Sequence, residues 1–379
     1  MAGNGPSGRA IPASASERPA PPVGDLRPAA RLPLLVLGML SLLVGVLAGL
    51  ARLGWTLPPL AAGAAGWHGA LMVSAFFGTV ISLERAVAVG RRWAYAGPAA
   101  AGLGGLALIA GAPPGVGQAL SVLGAATLVM ASLQVLRRQV ATFTVILAIA
   151  ALCWLVGNLA WWISGGIFAA LPWWLAFLVL TIAGERLELT RFLPTPPRAK
   201  SLFLAIVAGL LAGAVVAFWR QGAGLALFSA GLLALAAWLA RYDIARRNAR
   251  QQGLTRFIAL CLLSGYGWLA VAGLLGVQGA LLPGAALRDA ALHALGLGFV
   301  FSMVFGHAPI IFPAVTRLKI PYYPAFYLPL AALHLSLALR VAGGLSGAFP
   351  WRHAGGLANA LALLLFIATM VTSGFRGRR

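Results

Sequence analysis

Residues 67–87 read WHGALMVSAFFGTVISLERAV, an apolar stretch with a histidine at its beginning. An α-helix needs about 20 predominantly apolar residues to cross the hydrocarbon core of a bilayer, so this stretch predicts a membrane span. An imidazole in that setting loses water at both ring nitrogens and needs a hydrogen bond, a charge or a metal ion in its place. The partner of His68 is therefore the question that this stretch raises.

The rest of the chain repeats the same apolar pattern. Of the 379 residues, 61% are hydrophobic and only 9% are charged, which is too apolar for a water-soluble globule. Apolar runs of membrane-spanning length occur at residues 32–54, 67–89, 93–112, 115–136, 140–163, 167–189, 200–219, 222–241, 256–278, 286–312, 321–342 and 353–374. We predict an all-α polytopic integral membrane protein with about twelve transmembrane helices and the lipid bilayer as its main partner.

The basic residues predict the orientation of these helices. With a cytoplasmic N-terminus and twelve spans, 23 of the 28 Lys and Arg residues fall on the cytoplasmic side, and both termini are cytoplasmic. The exceptions are Arg52, Arg220, Arg288, Arg340 and Arg352. The net charge of +21 then indicates topology and attraction to anionic headgroups. Nucleic acid is not expected as a partner, because the basic residues are scattered over short loops.

Two regions with different composition divide the chain. Residues 1–30 are rich in Pro, Ala, Gly and Ser, which predicts a disordered cytoplasmic tail. Residues 31–375 are predicted to form one twelve-helix transmembrane domain. Cys153 and Cys261 lie in predicted spans and are interpreted as packing residues. The sequence has no Cys-x-x-Cys pair, which excludes iron–sulfur clusters, c-type haem attachment and Cys-based zinc sites.

The five histidines are the candidate ligands. His68 begins the second span and His293 lies about two turns into the tenth from the same side, so the two should lie at similar depth. His334 and His353 also lie toward that side, on the last two spans. In an α-helix, His307 would lie about 21 Å deeper than His293 and within about 40° of the same face.

His68 and His293 are the preferred pair. Ionisable groups inside membrane spans are functional candidates by default, and neutral imidazole is a common axial ligand of haem iron. Glycines beside both histidines, Gly69 and Gly296, would leave a gap for a flat macrocycle. A cofactor of the haem b type is therefore predicted between the second and tenth spans.

Three further candidates, Arg288, Arg340 and His307, each have two interpretations. Arg288 and Arg340 lie at outer helix ends and either bind haem propionates through charge-assisted hydrogen bonds or simply mark the membrane interface. His307 precedes two prolines and is either a metal ligand or a partner for a carbonyl that the prolines leave free. His334 is another candidate metal ligand. Copper held by the outer histidines is an additional interpretation.

Two sets of residues near the span ends are interpreted as structural. Glu84–Arg85 and Glu185–Arg186 are expected to be paired charges that close the cytoplasmic face. The tryptophans at the outer ends of spans five and six are expected to be interfacial anchors. These are Trp161, Trp162, Trp173 and Trp174.

A family resemblance extends the haem interpretation. Twelve spans, the motif WHGALM and a histidine on span ten resemble the haem–copper oxidase subunit I superfamily, in which those two helices hold a low-spin haem. The stretch HALGLGFVFSMVFGH at 293–307 is more similar to the NnrS-like branch, bacterial inner-membrane proteins associated with nitric oxide stress. The resemblance implies a multi-pass protein of the bacterial inner (cytoplasmic) membrane with a bis-histidine b-type haem near the periplasmic face. Nitric oxide or another small molecule as ligand and a redox partner are also implied.

The sequence departs from the superfamily where catalysis would occur. Ala291 and Leu295 flank His293 where a second haem ligand would be needed, and spans six and seven lack histidines for copper. An oxygen- or nitric-oxide-reducing centre is not expected, so no catalytic residue is assigned and enzyme activity is not predicted. The main alternative is a secondary transporter of a small solute or metal ion without haem. A structural or assembly protein without a cofactor is a third possibility.

Overall fold

The computed structural model describes residues 24–190 and 196–377. All regular structure in these ranges is helical and they contain no strand. Eleven of their helices are long and apolar enough to cross a membrane. The prediction of an all-α polytopic membrane protein is therefore confirmed, and the chain is a multi-pass protein of a lipid bilayer. Of the predicted N-terminal tail, residues 1–23 lie outside the described residues.

The bundle helices have the following bounds in chain order: α1 (Pro28–Arg52), α2 (Ala65–Val89), α3 (Ala96–Ile109), α4 (Pro114–Arg138), α5 (Thr142–Ser164), α6 (Ile167–Thr190), α7 (Pro197–Val216), α8 (Gln221–Tyr242), α9 (Gly253–Val277), α10 (Arg288–Thr316), α11 (Pro324–Leu345) and α12 (Phe349–Arg376). Consecutive helices pack side by side in several pairs, including α5 with α6 and α11 with α12. Leucines such as Leu335, which is 72% exposed, form the outward surface that a bilayer would cover.

The third predicted span is shorter than the others. Helix α3 has 14 residues and follows a 3₁₀ turn at Arg92–Tyr95. Together the two segments extend about 29 Å, close to the thickness of a hydrocarbon core. A Cβ added to Gly105 would overlap Ser41 of α1 and Ala75 of α2, so glycine permits the close approach of α3 to both helices. Helix α3 is thus part of the bundle although it is not among the eleven long helices.

Helices α2 and α10 both change to π-helical geometry directly after their histidines. The π-helical segments are Leu71–Phe77 in α2 and Ala294–Phe301 in α10. Such i→i+5 segments are rare and are frequent at functional sites. A π segment turns less per residue than an α-helix, so the rotation calculated for His293 and His307 from α-helical geometry does not carry across this segment of α10. The two histidines line different cavities.

Three of the four tryptophans expected at the membrane interface are buried in the bundle. Trp161, Trp173 and Trp174 are 0%, 9% and 2% exposed, whereas Trp162 is 48% exposed. Trp174 donates its indole hydrogen to Asn158 Oδ1 at 3.0 Å. The anchor prediction was therefore wrong for these three residues, since the bundle buries their rings between helices.

Asn158 joins four helices near the outer half of the bundle. Its Oδ1 also accepts from Ser74 Oγ of α2 at 2.9 Å, and its Nδ2 donates to the Ser121 carbonyl of α4 at 3.1 Å. Trp154 of α5 donates to the same Ser74 oxygen at 3.1 Å. The fully buried amide thus fixes α2 beside α4, α5 and α6 at the level of its π segment.

Candidate functional site: a histidine pair and two cavities

His68 of α2 and His293 of α10 lie directly beside each other. Their ring centroids are 6.1 Å apart and the ring planes are inclined by 19°. Two imidazoles that share one metal ion have centroids about 6 Å apart, because each nitrogen–metal bond is about 2 Å long. The structure therefore brings the preferred pair of sequence candidates to a spacing that suits a shared metal ion.

Hydrogen bonds fix the same tautomer in both rings. His68 Nδ1 lies 2.7 Å from the Gly45 carbonyl oxygen, and His293 Nδ1 lies 2.8 Å from the Asp289 carbonyl oxygen. A carbonyl only accepts, so each Nδ1 carries a hydrogen, and in the neutral form of the ring each Nε2 then keeps its lone pair. Metal-binding histidines are commonly oriented in this way by a partner at the other nitrogen.

The position of the His68 ring depends on a glycine of α1. A Cβ added to Gly49 would lie 2.8 Å from His68 Cε1 and 2.9 Å from His68 Nδ1. Those distances are shorter than real Cβ contacts, so any larger residue at this position would displace the ring. Gly49 and the carbonyl of Gly45 are one helical turn apart and together form the seat of His68.

The Asp289 side chain links His293 to Arg340 of α11. Its carboxylate accepts from Arg340 Nε at 2.9 Å and from Arg340 Nη2 at 2.7 Å, which is a bidentate pair between α10 and α11. Asp289 Oδ1 also lies 3.3 Å from His293 Nδ1. The guanidinium that the sequence suggested for propionates is thus already engaged by a carboxylate. The i, i+4 spacing of Asp289 and His293 was the sequence signal for this contact.

A cavity of about 480 Å³ lies beside the histidine pair, where α1 ends and α10 and α12 begin; we call it the outer cavity. His68 and His293 line it, and so do Gly69 and Gly296. A Cβ added to Gly296 would meet nothing within 4 Å, so this glycine faces open space. Five basic residues fall outside the cytoplasmic side in the predicted topology. Four of them also line this cavity: Arg52, Arg288, Arg340 and Arg352.

Three of these arginines, Arg52, Arg288 and Arg352, form no salt bridge with a carboxylate among residues 24–190 and 196–377. Arg288 donates to the Leu281 carbonyl and lies over the Phe168 ring, with its Cζ 5.0 Å from the centroid. Arg352 Nε is buried without a hydrogen-bond partner. A cavity with this lining attracts anionic groups.

The remaining outer histidines lie apart from the pair. His334 Nδ1 accepts from Trp268 Nε1 at 2.9 Å, and His353 stacks on Trp55 with centroids 4.1 Å apart. Neither side chain lines the outer cavity. Within the described part of the chain, no group of three or more His, Cys, Asp and Glu residues has the arrangement of a metal site. His334 and His353 therefore make separate local contacts and do not join the pair of His68 and His293.

A second cavity, of about 500 Å³, lies at the other end of the same helices; we call it the inner cavity. It is lined by Glu84, Glu185 and His307 among mainly apolar residues. The expectation of paired charges at this end was wrong for Arg186, which bonds Asp243 at 2.8 and 3.1 Å. Asp243 follows α8 and was not recognised as its partner from the sequence.

The fold and the paired imidazoles define the class of protein: an all-helical, multi-spanning membrane protein with an arginine-lined cavity beside two adjacent histidines. Residues 31–375 match the family described as Domain of unknown function (DUF8744), and the chain belongs to this family. No curated protein and no solved structure matches the chain.

Proposed function

We propose that the protein binds one b-type haem in the outer cavity through His68 and His293. The observation that carries the proposal is the 6.1 Å separation of two imidazoles whose Nδ1 atoms both face backbone carbonyls. We place the protein in the bacterial inner membrane, with a role in nitric oxide tolerance or membrane redox chemistry. That role rests on the resemblance to NnrS-like proteins described above.

The residues around the outer cavity suit a haem. A volume of about 480 Å³ is in the range of ligand pockets, and the glycines at 69 and 296 leave its sides open. Guanidinium groups bind carboxylates through parallel hydrogen bonds, so Arg52, Arg288 and Arg352 are the proposed partners of the propionates. Arg340 acts differently, because it holds Asp289 and through it His293.

His68 and His293 would hold the haem through their Nε2 atoms. A bound haem would supply one-electron chemistry in this arrangement. The protein residues orient the rings, exclude water with apolar walls and place positive charge beside the propionates. The His68 ring is held by the Gly45 carbonyl and by close contact with Gly49, and the His293 ring is held by the Asp289 carbonyl. Catalytic turnover is not part of the proposal.

Absorption spectra of the purified protein test this proposal. The full chain in detergent should show a sharp α-band after dithionite reduction and a stoichiometry of one haem per chain. His68→Ala and His293→Ala should insert normally but lose the haem. His334→Ala and His353→Ala are matched controls and should keep it. A colourless preparation despite increased haem supply, or wild-type spectra in both ligand variants, would refute the proposal.

A secondary transporter without haem is the second candidate. The observation that favours it is the end-to-end arrangement of the two cavities, which share a wall of Phe77, Leu178, Phe301 and Leu363. In alternating access a bundle opens in turn toward each end around one site, and two cavities separated by a shared wall are compatible with such openings. A haem-free protein that exchanges a small anion across proteoliposomes, with loss of exchange in Arg352→Ala, would support transport instead.

A further inference from the structure

The inner cavity has the size and walls of a site for an apolar ligand. It opens where α1 begins and α10 and α12 end, near Leu35, Lys319 and Phe375. Its volume of about 500 Å³ lies in the range of small-molecule pockets. The walls consist mainly of Leu, Ile, Val, Met and Phe side chains. A ligand that enters here must be lipid-soluble.

Aromatic rings dominate the deep part of the inner cavity. Phe76, Phe77 and Phe301 lie at its end toward the outer cavity, and Phe305 and Phe366 stack beside them with centroids 3.8 Å apart. Aromatic faces and edges pack well against a flat unsaturated ring. The wall therefore favours a ligand with a planar head group over a saturated lipid chain.

Four ionisable side chains line this apolar space: Lys319 at its opening, and Glu84, Glu185 and His307 from three helices. His307 Nδ1 donates to the Met303 carbonyl at 2.8 Å, so its Nε2 remains an acceptor. Within residues 24–190 and 196–377, the carboxyl groups of Glu84 and Glu185 form no hydrogen bond or salt bridge. Ionisable groups without partners inside a membrane protein are costly and mark ligand or ion pathways.

We propose that the inner cavity binds the reduced form of an isoprenoid quinone, a hydroquinone, with its head group against the phenylalanines. One hydroxyl group donates to His307 Nε2 and the other to a carboxylate of the glutamate pair. The head group is neutral, planar and apolar apart from two polar oxygens, which matches the lining. The isoprenoid tail leaves through the opening at the ends of α10 and α12.

Other ligands match the inner cavity less well. The phosphate of an anionic lipid would pair with Lys319 only at the opening, and deeper in the cavity it would meet the carboxyl groups of Glu84 and Glu185. A divalent cation would need further ligands, and the described residues contain no group of three or more His, Cys, Asp and Glu side chains that forms a metal site. A hydroquinone is uncharged and can donate hydrogen bonds both to the histidine and to the glutamate pair.

The quinone site is independent of the proposed haem, although the two cavities are adjacent. Phe77 and Phe301 belong to both walls, and their ring centroids are 5.4 Å apart. The proposal concerns binding only and makes no use of a cofactor in the outer cavity. Its test can therefore fail or succeed separately from the haem proposal.

Binding of decylubiquinol to the delipidated full chain in detergent, measured anaerobically by equilibrium ultrafiltration, tests the site. Wild type should bind one molecule per chain in a saturable way. Ala308→Phe fills the inner cavity, and His307→Leu removes the acceptor; each should weaken binding by about tenfold or more. Gly296→Leu is the matched control, because it fills space in the outer cavity and should leave hydroquinone binding unchanged.

The same samples separate the possible outcomes. Uptake that rises with detergent concentration and is equal in all variants would overturn the proposal. So would a phospholipid that co-purifies stoichiometrically and is displaced by Ala308→Phe. A colourless protein that binds decylubiquinol saturably would support the quinone site and refute the haem. A haem-containing protein that does not bind decylubiquinol saturably would support the haem and refute the quinone site.

Discussion

Replacement of Gly49 by alanine should weaken haem binding without unfolding the protein. The added Cβ would lie 2.8 Å from His68 Cε1, whereas ordinary contacts begin near 3.4 Å, so the ring must move by roughly half an ångström. The displaced ring includes Nδ1, which donates to the Gly45 carbonyl at 2.7 Å. The substitution therefore acts on the orientation of the ligand and leaves its chemistry intact.

The size of the effect follows from that hydrogen bond. Loss of the partner that orients a metal-binding histidine typically costs about 10–100-fold in affinity. That factor corresponds to about 1.4–2.8 kcal/mol of binding free energy. Alanine is more favourable than glycine inside a helix by about 0.5–1 kcal/mol, which offsets part of the local strain. The thermal unfolding midpoint of the apoprotein should therefore change little.

Titration of the apoprotein with haem, followed by absorbance, measures the expected change. Gly209→Ala on α7 is the control, because its Cβ would meet nothing within 4 Å. The dissociation constant should rise by about 10–100-fold in Gly49→Ala and stay unchanged in Gly209→Ala. Equal affinities in wild type and Gly49→Ala would show that the position of His68 does not matter and would refute its role as a ligand.

Three further substitutions test other parts of the structure. Asp243→Asn leaves Arg186, which is 2% exposed, without its carboxylate; unfolding in detergent should show a loss of about 3–5 kcal/mol, and an unchanged midpoint would contradict this account of the pair. Asn158→Leu removes the acceptor that two donors share and should cost about 2 kcal/mol in the same assay, whereas a stability gain would show that the network is dispensable. Arg352→Ala should weaken haem binding by about tenfold in the titration, with Arg220→Ala as the control that leaves it unchanged; equal effects would point to a general charge effect.

Local sequence patterns were sufficient for the helices and for part of the site. Hydropathy is a property of consecutive residues, so the spans could be placed before any contact was known. The depth of a residue in a span follows from its distance to the span end, which indicated that His68 and His293 lie at similar depth. Their measured separation of 6.1 Å adds the lateral position, which hydropathy does not contain.

Contacts between distant residues were decided by the tertiary structure alone. The pairing of Arg186 with Asp243 spans 57 positions of the chain, and that of Asp289 with Arg340 spans 51. The sequence assigned Arg186 and Arg340 to helix ends, where each would ordinarily meet water, lipid headgroups or a neighbour in the same helix. Burial between helices changed that, because a desolvated charge requires a partner with good geometry.

What the sequence determined by itself is the class of protein, the spans and the residues available as ligands, because each of these depends on composition and spacing along one helix. The π-helical segments, the seat of His68 on Gly49 and the convergence of four arginines on one cavity depended on how the helices pack. A π segment interrupts the regular 3.6-residue period, so every rotation calculated beyond it loses its basis. The histidines at 293 and 307, which share a helix, line two different cavities.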